Sequence, residues 1–453
     1  MVLANTSGGI LPMILLGTVM AVSYLLIGTG KVHKLVAAMI GALIAVALGL
    51  WLGVVHDYEE IHTRLSHDLG VLGVLVGTSI LVDVAGQSGL FQFLAIKIAK
   101  RARGSPRRLL ATIVALTVLF VGLLTIAPGT LIVVSLALVL AKELSLQAKP
   151  YLLAIAVAAN SGALATFASG ICTLMVGTAA GIPYVQFLML SLPVALVTAA
   201  IAWFLILRFY GARLAKPEIT DAERAERIAT FDEWAMVSDR RVFWRCAMIL
   251  GATILGFAFA RNFGIGLDWV ALAGGSAALF FSGLDPEEAV KKVHWSVVLF
   301  FVALFVMIGV VEETGLLTAL AGGLSGIADG NVTIAIALLV VFTAVTSGIM
   351  DNIPVAATLI PVVRGMIGSG LRAEPLWWGL LMSANLGGNA TPIGSISCVI
   401  ALHALSDATG EKVGWGEYLK VGGVILLVQI VFVLAWILGL DSFGLIPPIP
   451  STR

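Results

Sequence analysis

Residues 160–177 (NSGALATFASGICTLMVG) and 385–402 (NLGGNATPIGSISCVIAL) repeat one pattern, with Asn160 answering Asn385. Each lies within a long apolar run and is dense in Gly, Ala, Ser and Thr. The register holds upstream: GLFQFLA from Gly89 lines up with GLLTALA from Gly315, and Pro128 with Pro354, at an offset of 226. Helix-breaking segments at matched places in a membrane chain point to a transporter's binding site. Irregular backbone at bilayer depth survives only where it is buried in protein or lines a cavity.

That the chain is a membrane protein follows from composition. It is 59% hydrophobic and 12% charged, against about 25% charged for a soluble domain, and many apolar runs approach the ~20 residues that span ~30 Å of hydrocarbon. The net charge of +1 calls for no nucleic-acid partner; the expected partners are membrane lipid and a small solute. Cys172, Cys246 and Cys398 have neither paired nor metal-type spacing. The start, MVLANTSGGILPMILL, lacks a basic n-region, so the first apolar run reads as a retained span.

Spans are expected at about 10–29, 34–55, 67–84, 149–180, 183–209, 241–261, 266–283, 294–312, 375–405 and 419–440. Two segments, 107–146 and 331–370, read as apolar arms around a Pro-containing break, either crossing helices or re-entrant hairpins. Charge decides between them. With both as hairpins and Lys97 to Arg108 in the cytoplasm, 22 Lys and Arg fall inside, and Arg64, Arg261, Arg364, Arg372 and Arg453 outside. The predicted fold is therefore an all-α polytopic membrane protein of two inverted-topology repeats, each with a re-entrant hairpin and a discontinuous transmembrane helix. The first half covers 1–209 (hairpin 107–146, broken helix 149–180). A cytoplasmic linker covers 210–240, and the second half 241–453 (hairpin 331–370, broken helix 375–405). The N-terminus is expected outside.

At the second hairpin tip, SGIMDNIPVAATLIP, Pro354 lacks an amide donor and biases Ile353 away from the helical region, which predicts a break there. A broken helix frees amides that favour an anion at one end and carbonyls that favour a cation at the other. Asp351 and Asn352 stand at that break. An ionisable group at such depth is functional by default, although an Asp capping a helix in a polar vestibule would look the same. In SANLGGNATPIGSIS, the residues Gly387, Gly388, Pro392 and Gly394 oppose a continuous helix, while Asn385, Asn389, Thr391, Ser395 and Ser397 supply polar atoms. Close packing through small residues is the competing explanation, but Asn, Thr and Pro in one window favour a site.

The first half is a weakened copy. Thr125 and Ile126 stand where the second has Asp351 and Asn352; Pro128, Asn160, Gly162, Thr166 and Ser169 are kept, with Phe167 opposite Pro392. Any charge-compensating step is therefore expected in the second half. Asp83, Glu312 and Glu313 read as interfacial, as do Trp377, Trp378 and Trp415 in an aromatic belt. The histidines, His294 among them, fall in loops or at span ends, apart from His403, which reads as structural. No phosphate-binding glycine loop, HExxH or nucleophile constellation supports an enzyme.

DNIPVAATLIPVV and PLWWGLLMSANLGGNATPIGSISCVIAL together resemble the ion transporter superfamily, in the branch of arsenite-efflux permeases, NhaD-type sodium/proton antiporters, citrate-type transporters and melanosomal pink-eyed-dilution (P) permeases, most of all the P-permease group. Similarity extends over most of the chain, including WSVVLFFVALFVMIGVVEETGLLTALA and DEWAMVSDRRVFWR. The resemblance implies inverted repeats, an often dimeric assembly, and an elevator-like or rocking motion. It implies site positions at Asp351, Asn352 and Pro354, at Asn385, Gly387, Gly388, Asn389, Thr391 and Gly394, and at Pro128, Asn160, Gly162 and Thr166. The first tip lacks the carboxylate common in relatives, and Thr173 and Cys398 replace a late Asn. The coupling ion, H+ or a Na+ near Asp351 and Asn352, therefore stays open.

The expected function is a cofactor-free secondary active transporter of a small anion, oxyanion or organic acid, ion- or proton-coupled and working by alternating access, in a bacterial cytoplasmic (inner) membrane. Ser395, Thr125 and Ser169 join the expected site. Alternatives are a sodium/proton antiporter, an arsenite or silicic acid efflux permease, and a passive channel. The chain carries no nucleotide-binding motif, and an external ATPase partner stays compatible with the sequence.

Overall fold

The computed structural model describes residues 9–449 apart from 30–31, 57, 168, 216–218 and 284. Lys31 and Lys216, two of the 22 basic residues counted inside, lie outside the described residues, as do Arg453 and the first eight residues of the N-terminal stretch. The chain runs through α1 (Ile10–Thr29), α2 (Lys34–Trp51), α3 (Tyr58–Gln87), α4 (Leu90–Ala99), α5 (Pro106–Leu124), α6 (Ile126–Glu143), α7 (Ala148–Gly162), α8 (Ile171–Ala179) and α9 (Tyr184–Tyr210). A linker helix, α10 (Asp221–Ala229), follows. Then come α11 (Arg240–Phe259), α12 (Leu267–Ser282), α13 (Pro286–Lys291), α14 (Trp295–Glu313), α15 (Leu316–Ala328), α16 (Val332–Ile349), α17 (Asn352–Gly368), α18 (Ala373–Gly387), α19 (Ile396–Thr409), α20 (Trp415–Tyr418) and α21 (Val424–Ser442). Among the described residues, ten helical segments are long and apolar enough to cross a membrane. Their outward faces carry large apolar side chains such as Phe204, Phe259 and Val431, as contact with lipid requires.

Element order recurs along the chain. Helices α3 to α8 are answered in sequence by α14 to α19. The α3–α4 turn is made by Gly89 at φ +80° and the α14–α15 turn by Gly315 at φ +77°, a left-handed conformation that glycine adopts without steric cost. The two hairpins, α5–α6 and α16–α17, turn within one or two residues. Both interrupted spans are discontinuous: α7 and α18, each about 22 Å long at 1.5 Å per residue, stop at Gly162 and Gly387, and helix resumes at Ile171 and Ile396. They pack crosswise, α7 against α19 and α18 against α8.

Several details depart from the sequence expectations. Pro354 is the third residue of α17 and Pro128 the third of α6, inside first turns where a missing amide costs nothing. The break instead lies just before, at Met350 and Asp351. Helices α4 and α15, too short to span, went unassigned although their strings had marked the register. Trp377 and Trp378 belong to no interfacial belt. They are 5% and 1% exposed, because α18 is enclosed on every side from Pro375 to Gly387. Helix α20 continues into α21 through a π-helical stretch, Leu419–Gly423.

Candidate functional site

A cavity of about 520 Å³ lies where the two hairpin tips meet the resumed halves of the broken helices. Its wall includes the first residues of α6 (Thr125 to Pro128), α8 (Gly170 to Cys172), α17 (Asp351 to Ile353) and α19 (Ser395, Ile396). The N-termini of these four helices therefore abut one space, beside the C-terminal ends of α3 (Gln87) and α5 (Leu124), while α16, α7 and α18 end away from it. Each such terminus favours an anion by about 0.3–1 kcal/mol, more when partly buried. Two of the four are already capped internally. Asp351 Oδ1 accepts from Ile353 N–H at 3.2 Å, and Ser395 Oγ from Ser397 N–H at 3.4 Å. Helices α6 and α8 have no side-chain cap, so their amides are the ones left for a ligand.

Charge on the wall comes as pairs. Lys34, the first residue of α2, places Nζ 3.6 Å from Asp351 Oδ2, and Lys292 places Nζ 3.8 Å from Asp83 Oδ2. Gln87 donates to the same Asp83 oxygen at 2.6 Å. His294, at the start of α14, also lines the space. Among the described residues, no group of three or more His, Cys, Asp or Glu is placed to hold a metal ion.

The expected site residues divide into three groups. Thr125, Pro128, Asp351, Asn352 and Ser395 line the cavity. Asn160 and Asn389 instead join a solvent-free network between the broken helices, and Asn385 is equally buried with a partner of its own. Asn160 Nδ2 donates to Asn389 Oδ1 at 2.8 Å, and Ser395 Oγ donates to Asn160 Oδ1 at 2.7 Å. Asn389 passes the chain to Gln429 at 2.8 Å, and Asn385 Nδ2 donates to Thr173 Oγ1 at 3.1 Å. Each buried bond of this kind is worth about 1 kcal/mol net, and orphaning a partner costs about 1–3. The third group fits tip to break. Thr166 Oγ1 donates to Gly122 O at 2.6 Å and Thr391 Oγ1 to Gly348 O at 2.7 Å, the same clip at matched places. Ser169 Oγ donates to Ala163 O at 2.6 Å inside its own break. A Cβ at Gly387 would stand 2.6 Å from Ala344 O, at Gly162 2.9 Å from Val121 Cβ, and at Gly388 and Gly394 2.9 Å from each other's carbonyl. Pro354 is buried in the first turn of α17.

Sequence reasoning missed four wall residues. Lys34 and Lys292 entered only the count of basic residues on the cytoplasmic side, while His294 read as a span end and Asp83 as interfacial. The usable signal for Asp83 was the length of its helix, which continues to Gln87 and carries the carboxylate onto the wall. The first half thus supplies a carboxylate after all, from α3 rather than from its hairpin tip. Glu312 and Glu313 sit half-buried at the end of α14, outside the cavity lining.

Comparison with known proteins follows the same lines. The family profile described as citrate transporter matches residues 24–382. An uncharacterized transporter of Mycobacterium bovis is 30% identical over 421 residues, 91% of this chain and 95% of that one. The P protein of Mus musculus is 26% identical over 93% of this chain and 59% of its own length. Among solved structures, the YdaH transporter of Alcanivorax borkumensis, described as having an unusual topology, superposes with a TM-score of 0.61 at 16% identity, covering 96% of this chain and 100% of that one. MtrF of Neisseria gonorrhoeae, placed in a class of antimetabolite efflux pumps, gives 0.60 at 13% identity, covering 94% of each.

Proposed function

The chain belongs to the citrate transporter family and is an integral membrane transporter, and from that premise we propose that it is a secondary active carrier of a small anion, oxyanion or organic acid. The observation that carries the reading is the cavity itself, where four helix N-termini, two of them uncapped, converge with Lys34 and Lys292. Sodium/proton exchange is less well supported, because both cavity carboxylates already face lysines. Neutral arsenite or silicic acid would make less use of the uncapped amides of α6 and α8.

The crosswise packing of the broken helices and the matching tip-to-break clips support two inverted halves working by alternating access. With the basic loops in the cytoplasm of a bacterial inner membrane and the N-terminus outside, Lys34, Gln87 and Lys292 put the cavity on the cytoplasmic side. A homodimer rests on the family resemblance alone.

The test is flux in proteoliposomes, crossing arsenite, chloride, sulfate and dicarboxylates with imposed sodium and proton gradients. Uphill anion accumulation driven by one cation gradient is expected. A sodium gradient that moves protons without any anion would replace the reading with an antiporter, and purely downhill flux would replace it with a channel.

A further inference from the structure

We infer that Lys34 is an internal stand-in for the coupling cation: it holds Asp351 while the cavity is empty and leaves it when an anion enters. The part played by the anion rests on the transport reading above; the competition at Asp351 does not.

The two ion pairs of the cavity are not equivalent. Asp83 Oδ2 has Gln87 at 2.6 Å as well as Lys292 at 3.8 Å. Among the described residues, Asp351 Oδ2 has Lys34 alone, at 3.6 Å, since its other oxygen caps α17. That separation exceeds the about 2.7–2.9 Å of a charge-assisted hydrogen bond, so the pair is in electrostatic contact without being locked. Lysine suits such a role, carrying a compact charge on a flexible stem. The ammonium also lies 5.4 Å from the centre of the Phe300 ring, an aromatic face on which it can rest. Next to Asp351, Asn352 is 4% exposed and lines the cavity, and its Nδ2 has no hydrogen-bond partner. A buried donor without an acceptor costs free energy until one arrives. An anion beside Lys34 supplies that acceptor.

Charge balance then enforces coupling. With the cavity empty, Lys34 and Asp351 neutralise each other. An anion that takes Lys34 leaves the carboxylate of Asp351, about one-fifth exposed, without its counter-charge, which costs free energy. A proton or sodium ion at Asp351 alone leaves Lys34 uncompensated. Only both together, or neither, leave no stranded charge. The other ionisable groups on the wall are Asp83, Lys292, His294 and Cys172; none touches Asp351 as Lys34 does.

The experiment uses the full chain, purified and reconstituted, with Lys34→Met and Asp351→Asn, and Lys34→Gln as a second variant should Lys34→Met aggregate. Thermal unfolding is followed against sodium (replaced by N-methylglucamine) and against pH, and flux is followed with citrate and sulfate. Removing the internal competitor should make Lys34→Met respond to the effective cation at about ten-fold lower concentration, or about one pH unit higher for the proton. The same variant should need about ten-fold more anion for half-saturation. Asp351→Asn should lose cation-driven accumulation, and its thermal unfolding should no longer respond to the effective cation. A wild-type protein insensitive to both cations, a Lys34→Met cation response equal to wild type, or accumulation retained in Asp351→Asn overturns the inference. Should neither anion be carried by the wild type while Lys34→Met still sharpens the cation response, the competition stands and the anion reading falls.

Discussion

At the scale of single residues, Thr125 marks the first hairpin tip as clearly as Asp351 marks the second. It sits at φ +115°, ψ +168°, a region that is almost exclusively glycine's and worth about 1–3 kcal/mol of strain in a β-branched residue. Thr125→Gly should therefore raise the free energy of unfolding by about 1 kcal/mol, after allowing for glycine's greater freedom in the unfolded chain. Denaturation in detergent measures it, and no gain would mean the tip is unstrained. Much at this scale was readable from the sequence. Gly387, Gly388 and Gly394 read as interruptions, and each does approach a neighbouring carbonyl or side chain too closely for a Cβ. The partner of Asp351 was not readable. Lys34 stands beside a loop, where a basic residue reads as an orientation signal, and only the fold shows its stem reaching the other half's hairpin tip.

At the scale of elements, long apolar runs were recovered because length and periodicity suffice for them, whereas short helices escaped. Helices α4 and α15 lack the length of a span, and the π-helical stretch at Leu419–Gly423 has no sequence signature. That stretch lets the backbone at Gly422 lie against Asn389 O, with Tyr418 bonded to Cys398 at 2.9 Å. Residues 210–240 were expected as a cytoplasmic linker, and its docking is the new information. Arg224, buried, donates to Leu144 O at 3.0 Å, and Arg227 to Glu143 O at 3.0 Å, together capping the C-terminal end of α6. Its acidic groups predict a pH response. The Thr220 amide holds Glu223 below the usual carboxylate range, and Lys100 does the same for Glu233. Depressed folded-state values mean a contribution present above the unfolded value of about 4.3 and lost as pH falls through the lower folded value. Hydrogen exchange across residues 219–240 should accelerate below about pH 4 relative to the transmembrane helices, and Glu233→Gln should blunt the change. A linker equally protected at low pH would show that these contacts do not hold it.

For the whole molecule, the proposed inverted arrangement makes a prediction about sidedness. Arg107 and Thr333 occupy matched positions, 226 apart, at the starts of the two hairpins, and both are exposed. The native Cys172, Cys246 and Cys398 are buried, so background labelling should be low. A membrane-impermeant maleimide should reach Arg107→Cys only from the cytoplasmic face and Thr333→Cys only from the opposite one. Labelling of both from one side would exclude opposed halves. The all-helical architecture was readable because lipid leaves few ways to satisfy a backbone. The cavity was not, since its charged wall is assembled from five separate helical regions that no local pattern connects.

The crosswise grip of the two interrupted spans also bears on how the chain is made. Helix α7 ends at Gly162, and its partner α19 begins at Ile396, 234 positions later. At about 5–20 residues per second, the ribosome needs roughly 10–50 s to deliver the second once the first has emerged. Through that interval Asn160 lacks Asn389 and Ser395, so the early product must wait in the bilayer with its polar seam open, dependent on insertion machinery or stray water until its counterpart arrives.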